Sequence, residues 1–122
     1  MSSPSERMAA AGIQLPPVSK PLAAYVPSRR SGGLVWTSGQ LPFVNGELVA
    51  TGKLGDGVST DTGRTAARAA ALNAVAAAAH EAGGIDNISH VVRVVVYVAS
   101  TVDHTGQPAV ADGASGLLEE IF

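Results

Sequence analysis

A chain of 122 residues fits one domain with a modest core, and its 46% hydrophobic content excludes wholesale disorder. A formal net charge of −2 offers no basic stripe for nucleic acid, and the lack of cysteine excludes a disulfide framework and a thiolate nucleophile. No apolar run approaches the roughly 20 residues of a membrane span, and the N-terminus lacks the blocks of a signal peptide, so the expected setting is soluble and cytoplasmic.

Residues 1–12 are rich in Ser, Ala and charge without periodicity, and are expected to form a mobile arm ahead of a single domain over 13–122. Pro16, Pro17, Pro21 and Pro27 keep the next stretch extended and irregular, because each fixes φ and removes a donor. Leu34–Ser38 reads as the first strand. Phe43-Val44 and Leu48-Val49 flank Asn45-Gly46, a pair that tolerates φ > 0 and so predicts a hairpin. Gly52, Gly55 and Gly57 mark a loop. They lack the Lys-Ser/Thr of a phosphate loop and the spacing of a dinucleotide fingerprint.

A helix is expected from a Ser59 or Thr60 N-cap, with Asp61 near the positive end of its dipole, to about Ala82. Gly83-Gly84 supplies the stop. Ala67, Ala71, Leu72, Val75, Ala78, Ala79 and Ala82 share one face, and the opposite face is mostly Ala, broken by Asn73 and His80. Ile88–Ala99 is apolar on both faces from Val91 on, which predicts a central strand covered on both sides. One helix layer covers one side only, so the other side is assigned to further copies of the chain. A second helix is expected from about Pro108 to the end, through Val110, Leu117, Leu118 and Ile121.

Few residues stand out as carriers of chemistry. His80, His90 and His104 share no metal-ligand spacing, and no metal site is expected. Ser38, His104 and Asp103 make a hydrolase triad only on paper, since no Gly-x-Ser-x-Gly elbow is present. Arg64 and Arg68, one helical turn apart, are read as stems over apolar surface rather than as an anion clamp. Glu119-Glu120 reads as a solvated helix face. Tyr25 is conspicuous where aromatics make up 4% of the chain, and is divided evenly between a peripheral core filler and a site residue.

The string Leu34-Val35-Trp36-Thr37-Ser38-Gly39-Gln40-Leu41-Pro42 resembles the signature of the RidA/YjgF family, small trimeric enamine/imine deaminases also labelled L-PSP endoribonucleases. Pro21–Tyr25 looks like the family segment ending in a tyrosine at the cleft. Ala71-Leu72-Asn73 and Val91–Val98 read like its helix and long strand, and Val110-Ala111-Asp112-Gly113 lies where an asparagine often begins its second helix. The resemblance implies an α+β, chorismate-mutase-like fold: a mixed sheet with two helices on one face. It implies a homotrimer with sites between subunits, and substrate-binding residues at Tyr25, Ser38, Gly39 and Asp112. It also implies cofactor-independent hydrolysis of imines such as the one derived from 2-aminoacrylate. In that family a final strand carries an arginine that grips the substrate carboxylate, and a glutamate beyond it positions water. Neither Arg93 nor Glu119 occupies those positions. The last strand is absent before Phe122, so the domain is expected to be incomplete there, a portion of a longer protein, and the catalytic residues are unassigned. The alternative readings are a non-catalytic trimer that binds small carboxylates and, third, an endoribonuclease. Neither nucleic-acid nor membrane partners are expected.

Overall fold

The computed structural model describes residues 2–122, as three helices and six short strands in the order α1, β1–β6, α2, α3. The first helix, α1 (Pro4–Ala11), occupies most of the stretch expected to be a mobile arm. Its start is over-determined by short-range chemistry. Ser3 accepts from the Glu6 amide, Glu6 reaches back to the Ser3 amide, and Pro4 stands at the first helical position. Tertiary contacts then hold these two turns down. Met8 is buried, Ser5 donates to Asp86 through amide and hydroxyl (2.8 and 2.6 Å), and Arg7 donates to the carbonyls of Glu119 and Glu120. A helix with one apolar anchor has no periodicity to reveal it.

Strands β1 (Ser28–Ser31) and β2 (Leu34–Thr37) form an antiparallel pair with Arg29 opposite Trp36 and Arg30 opposite Val35. Strands β3 (Phe43–Val44) and β4 (Glu47–Leu48) form the expected hairpin, with Asn45 at φ 53° and Gly46 at φ 83°. Two left-handed residues in succession match the strand twist, which is why Asn-Gly serves here. Strands β5 (Lys53–Leu54) and β6 (Gly57–Val58) are a two-residue parallel pair within the glycine loop.

Helix α2 (Thr60–Ala82) has the bounds that its sequence predicts. The Ser59 hydroxyl accepts from the Thr62 amide at 3.1 Å. At the other end Gly83 takes φ 81°, and the amides of Gly83 and Gly84 return to His80 and Ala79. Helix α3 (Gln107–Ile121) buries Val110, Gly113, Ala114, Leu117 and Ile121, one stripe at helical spacing, against α2. The two helices approach so closely that a Cβ on Gly113 would overlap the Arg64 carbonyl. Alanine and glycine make that approach possible. The main core therefore lies among the three helices, with Val75, Leu117 and Ile121 at its centre and Leu54 closing one end.

A second expectation changes. Ile88–Ala99 forms no strand and belongs to no ladder within the chain; pairing begins only at its end, where Leu54 donates to Ala99 O and accepts from Thr101 N, both at 2.9 Å. Val96 and Val98 pack against the helical core, whereas Val92 is 70% and Tyr97 92% exposed. The expected single mixed sheet is thus three two-stranded pairs beside an unpaired extended segment. A continuous apolar run favours a buried strand, and a ladder requires a neighbouring backbone as well. No helix among the described residues is long and apolar enough to cross a membrane.

Candidate functional site

Strand β2 ends at Thr37, and the chain turns away from the sheet through Ser38, Gly39 and Gln40. The Ser38 amide and hydroxyl both donate to the Pro27 carbonyl, at 2.9 and 3.2 Å. These bonds extend the β1–β2 pairing by one step and pin the proline-bounded segment against the end of β2. A cleft results, lined by Lys20, Tyr25, Pro27, Ser38, Gly39 and Gln40, with Leu22, Leu41 and Phe43 as its apolar wall. Three of the four residues expected at the site, Tyr25, Ser38 and Gly39, are brought together here. Asp112 is not: it is exposed on α3 and does not line the cleft.

The far wall is held from α2. Asn73, 3% exposed, donates through Nδ2 to the carbonyls of Leu41 and Phe43, each at 3.0 Å. Among the described residues it is the one buried polar residue, and its two N–H groups are spent on Leu41 and on the start of β3. Asn73 is a positioning residue. A lone amide in the middle of an alanine helix was the signal for it.

The cleft is rich in donors. Among the described residues the amides of Gly39 and Gln40 make no hydrogen bond within the protein, and Lys20 has no carboxylate partner. The Ser38 hydroxyl has its proton engaged by Pro27 and keeps lone pairs free to accept. The arrangement suits a small ligand that is anionic at one end and a hydrogen-bond donor at the other. Its free volume is about 20 Å³, roughly one water's share, so any larger ligand extends past Tyr25, which is 46% exposed.

A larger groove of about 430 Å³ runs between Leu15–Pro16 and the last turns of α2. Its one titratable side chain is His80, which leaves it without the convergent polar groups of the smaller cleft. The other candidates are accounted for locally. Arg64 donates to Ala109 O and pairs with Asp61, and Arg68 pairs with Glu120 at 3.1 Å, so both arginines join α2 to α3 or brace its first turn. Glu119 and Glu120 lie on an exposed helix face, as expected, and Glu120 pairs there with Arg68. His90 contacts the Ser89 hydroxyl, and His104 packs against Gly55 and Gly106 with its Nε2 buried and unpartnered. Ser38 and His104 do not pair, since the Ser38 hydroxyl donates to Pro27 and His104 Nε2 is unpartnered, and no group of three potential metal ligands converges among the described residues.

This fold is that of a known group. Residues 5–122 match the family model described as "YjgF/chorismate_mutase-like, putative endoribonuclease", and the chain belongs to that family. It is similar to a crystal structure of a "putative endoribonuclease" from Shewanella oneidensis MR-1, with TM-score 0.88 and 34% identity, over 99% of this chain and 80% of that one. It is also similar to the protein Atu1372 of unknown function from Agrobacterium tumefaciens, with TM-score 0.78 and 32% identity, over 98% of this chain and 72% of the other. Protein TCP17 of Trypanosoma cruzi is 38% identical over 111 residues, which are 91% of this chain and 69% of TCP17.

Proposed function

We propose that the protein is a cytoplasmic, cofactor-independent deaminase of reactive imines, with 2-aminoacrylate and its imine tautomer as the type substrate. The observation that carries this reading is the grouping of Ser38, the unspent Gly39 and Gln40 amides and Tyr25 around one small cleft. An imine carbon is already electrophilic, so the protein's task is orientation and charge stabilisation. Water adds to the C=N carbon, the nitrogen takes up a proton, and the C–N bond breaks as a carbonyl forms. One imine and one water yield one 2-oxo acid and one ammonia. The Ser38 oxygen is suited to accept from the iminium N–H, while the two amides face negative charge. Tyr25 borders the mouth. Assembly as a homotrimer, with neighbouring copies completing the cleft, belongs to the same proposal.

The test is ammonia release from 2-aminoacrylate generated in place by a dehydratase, followed with and without the protein. A first-order rate above the uncatalysed one supports the reading, and an unchanged rate defeats it. The endoribonuclease description of the Shewanella relative is addressed by RNA cleavage at physiological salt. With a net charge of −2, no cleavage is expected here. Carboxylate binding without ammonia release would favour the non-catalytic binder.

A further inference from the structure

The chain has three asparagines, and two of them are held by their surroundings. Asn73 is buried in α2, spends its N–H groups on Leu41 O and Phe43 O, and precedes Ala74. The Asn87 carboxamide donates to Ala82 O at 2.9 Å, and the amide that follows it, of Ile88, donates to Ile85 O at 3.2 Å. Asn45 differs on each count. It is exposed at the tip of the β3–β4 hairpin, and among the described residues neither its carboxamide nor the next amide, of Gly46, makes a hydrogen bond within the protein. It is also the one described residue other than glycine with positive φ, at 53°. The space around Gly46 is open, since even an added Cβ would meet nothing within 4 Å. The two strands that hold this turn are two residues long each, so local opening breaks few hydrogen bonds.

We propose that Asn45 is a site of covalent self-modification: it deamidates to isoaspartate, and the change releases the β3–β4 hairpin from the wall of the cleft. When the turn opens, the Gly46 nitrogen gives its proton to solvent base and bonds to Cγ of Asn45. The bond from Cγ to the side-chain nitrogen breaks, and ammonia leaves with a proton taken from water. A cyclic imide remains, and one water reopens it. Cleavage between the Gly46 nitrogen and the Asn45 backbone carbonyl carbon turns that carbon into a free carboxylate and routes the chain through Cβ and Cγ, which is isoaspartate. Cleavage on the other side gives aspartate. One water is consumed and one ammonia released overall. Isoaspartate lengthens the main chain of a two-residue turn and adds a charge beside Glu47. The Phe43–Leu48 and Val44–Glu47 pairing depends on two successive left-handed residues, and is lost. Phe43 lines the cleft and its carbonyl is held by Asn73, so the loss reaches the cleft wall. The modification is independent of the deaminase reading; only its effect on imine hydrolysis rests on that reading.

The experiment incubates the full protein at mildly alkaline pH beside a free peptide of residues 41–50, and then cleaves the protein with trypsin. The tryptic peptide 31–53 contains Asn45 and no other Asn or Asp. Isoaspartate in it, labelled by an isoaspartate methyltransferase, and the mass gain of amide becoming acid therefore belong to this site. Conversion at Asn45 is expected within the time that exhausts the free peptide, with isoaspartate exceeding aspartate and with Asn73 and Asn87 intact. Hydrogen exchange at Phe43–Leu48 should quicken in the converted protein. It should not change on incubation of Asn45→Gly, which keeps a turn of positive φ and has no carboxamide. Asn73→Ala, which frees Phe43 O, should convert about fivefold faster, the factor that about 1 kcal/mol adds to an opening equilibrium. An intact Asn45 over that time, conversion no faster than at Asn87, an unchanged rate in Asn73→Ala, or unchanged exchange in the converted protein would each overturn the proposal, as would quickened exchange in incubated Asn45→Gly. Its failure is separable from that of the deaminase reading. A protein that hydrolyses 2-aminoacrylate while Asn45 stays intact removes this proposal alone. One that converts at Asn45 and never hydrolyses 2-aminoacrylate removes the deaminase alone.

Discussion

The carboxamide of Asn73 donates to the carbonyl of Leu41 at 3.0 Å, so the middle of the longest helix holds the loop that forms one wall of the cleft. The same nitrogen serves Phe43 O, at the entry to the β3–β4 hairpin. Asn73→Ala leaves two partly buried carbonyls without a donor. A loss of about 1–3 kcal/mol is expected from urea unfolding, together with slower ammonia release from 2-aminoacrylate through a loosened Gly39–Leu41 segment. Asn73→Asp, which faces the carbonyls with an acceptor, should be worse. Unfolding midpoints within error of the unmutated protein would contradict this.

Legibility differs sharply between the helices. α2 was readable in full, because Ser59 and Gly83 use local chemistry that survives any tertiary context. α1 left a trace in Ser3-Pro4-Ser5-Glu6, a capping box with proline at the first position, but an eight-residue helix is not stable alone. Its existence depends on Asp86 and the end of α3, residues more than 80 positions away. Tyr25, Ser38 and Gly39 were legible through their string. Ile88–Ala99 reads as a central strand from its continuous apolar run, and its lack of a ladder partner within the chain was not legible.

Two glycines three residues apart on α3 should respond oppositely to the same change. A Cβ on Gly113 overlaps the Arg64 carbonyl, while one on Gly116 meets nothing within 4 Å. Gly113→Ala forces α2 and α3 apart and is expected to cost about 1–3 kcal/mol or more. Gly116→Ala should stabilise by about 0.5–1 kcal/mol through helix propensity. Thermal unfolding of the pair distinguishes close approach from propensity, and a shared sign would refute the account of the helix interface.

The attachment of α1 should be sensitive to acid. The Ser5 hydroxyl, and after it the Ser5 amide, hold the Asp86 carboxyl below its ordinary value of 3.8. A lowered native pKa means that the contribution is present above the unfolded value and is lost as pH falls from 3.8 through the native one. Amide shifts of Ser5–Met8 should therefore move cooperatively below pH 3.8. Asp86→Asn should remove that step, and Glu6→Gln, which alters the neighbouring capping box, should retain it. Because Asp86 is exposed, the effect is local release of α1, with the α2–α3 core intact. An unchanged titration in Asp86→Asn would refute the assignment.

Homotrimer formation, proposed above, makes a residue-level prediction at the unpaired extended segment. Alternate side chains there face opposite ways. Val96 and Val98 turn toward the helical core, so Val95 and Tyr97 point away from it, and both are exposed within one chain. On β2, Val35 is half-buried while Leu34 and Trp36 are exposed, and Trp36 is 57% so. Burial of such side chains is worth about 1.5–3 kcal/mol each, ample to drive association. Val95→Glu should give a folded monomer, with helical circular dichroism retained and a smaller mass by light scattering. Val96→Glu should instead lower the unfolding midpoint, because it drives a carboxylate toward the Val75–Ile121 cluster. If the unmutated protein scatters as a monomer at micromolar concentration, the trimer is wrong, and so is any cleft completed by a neighbouring copy.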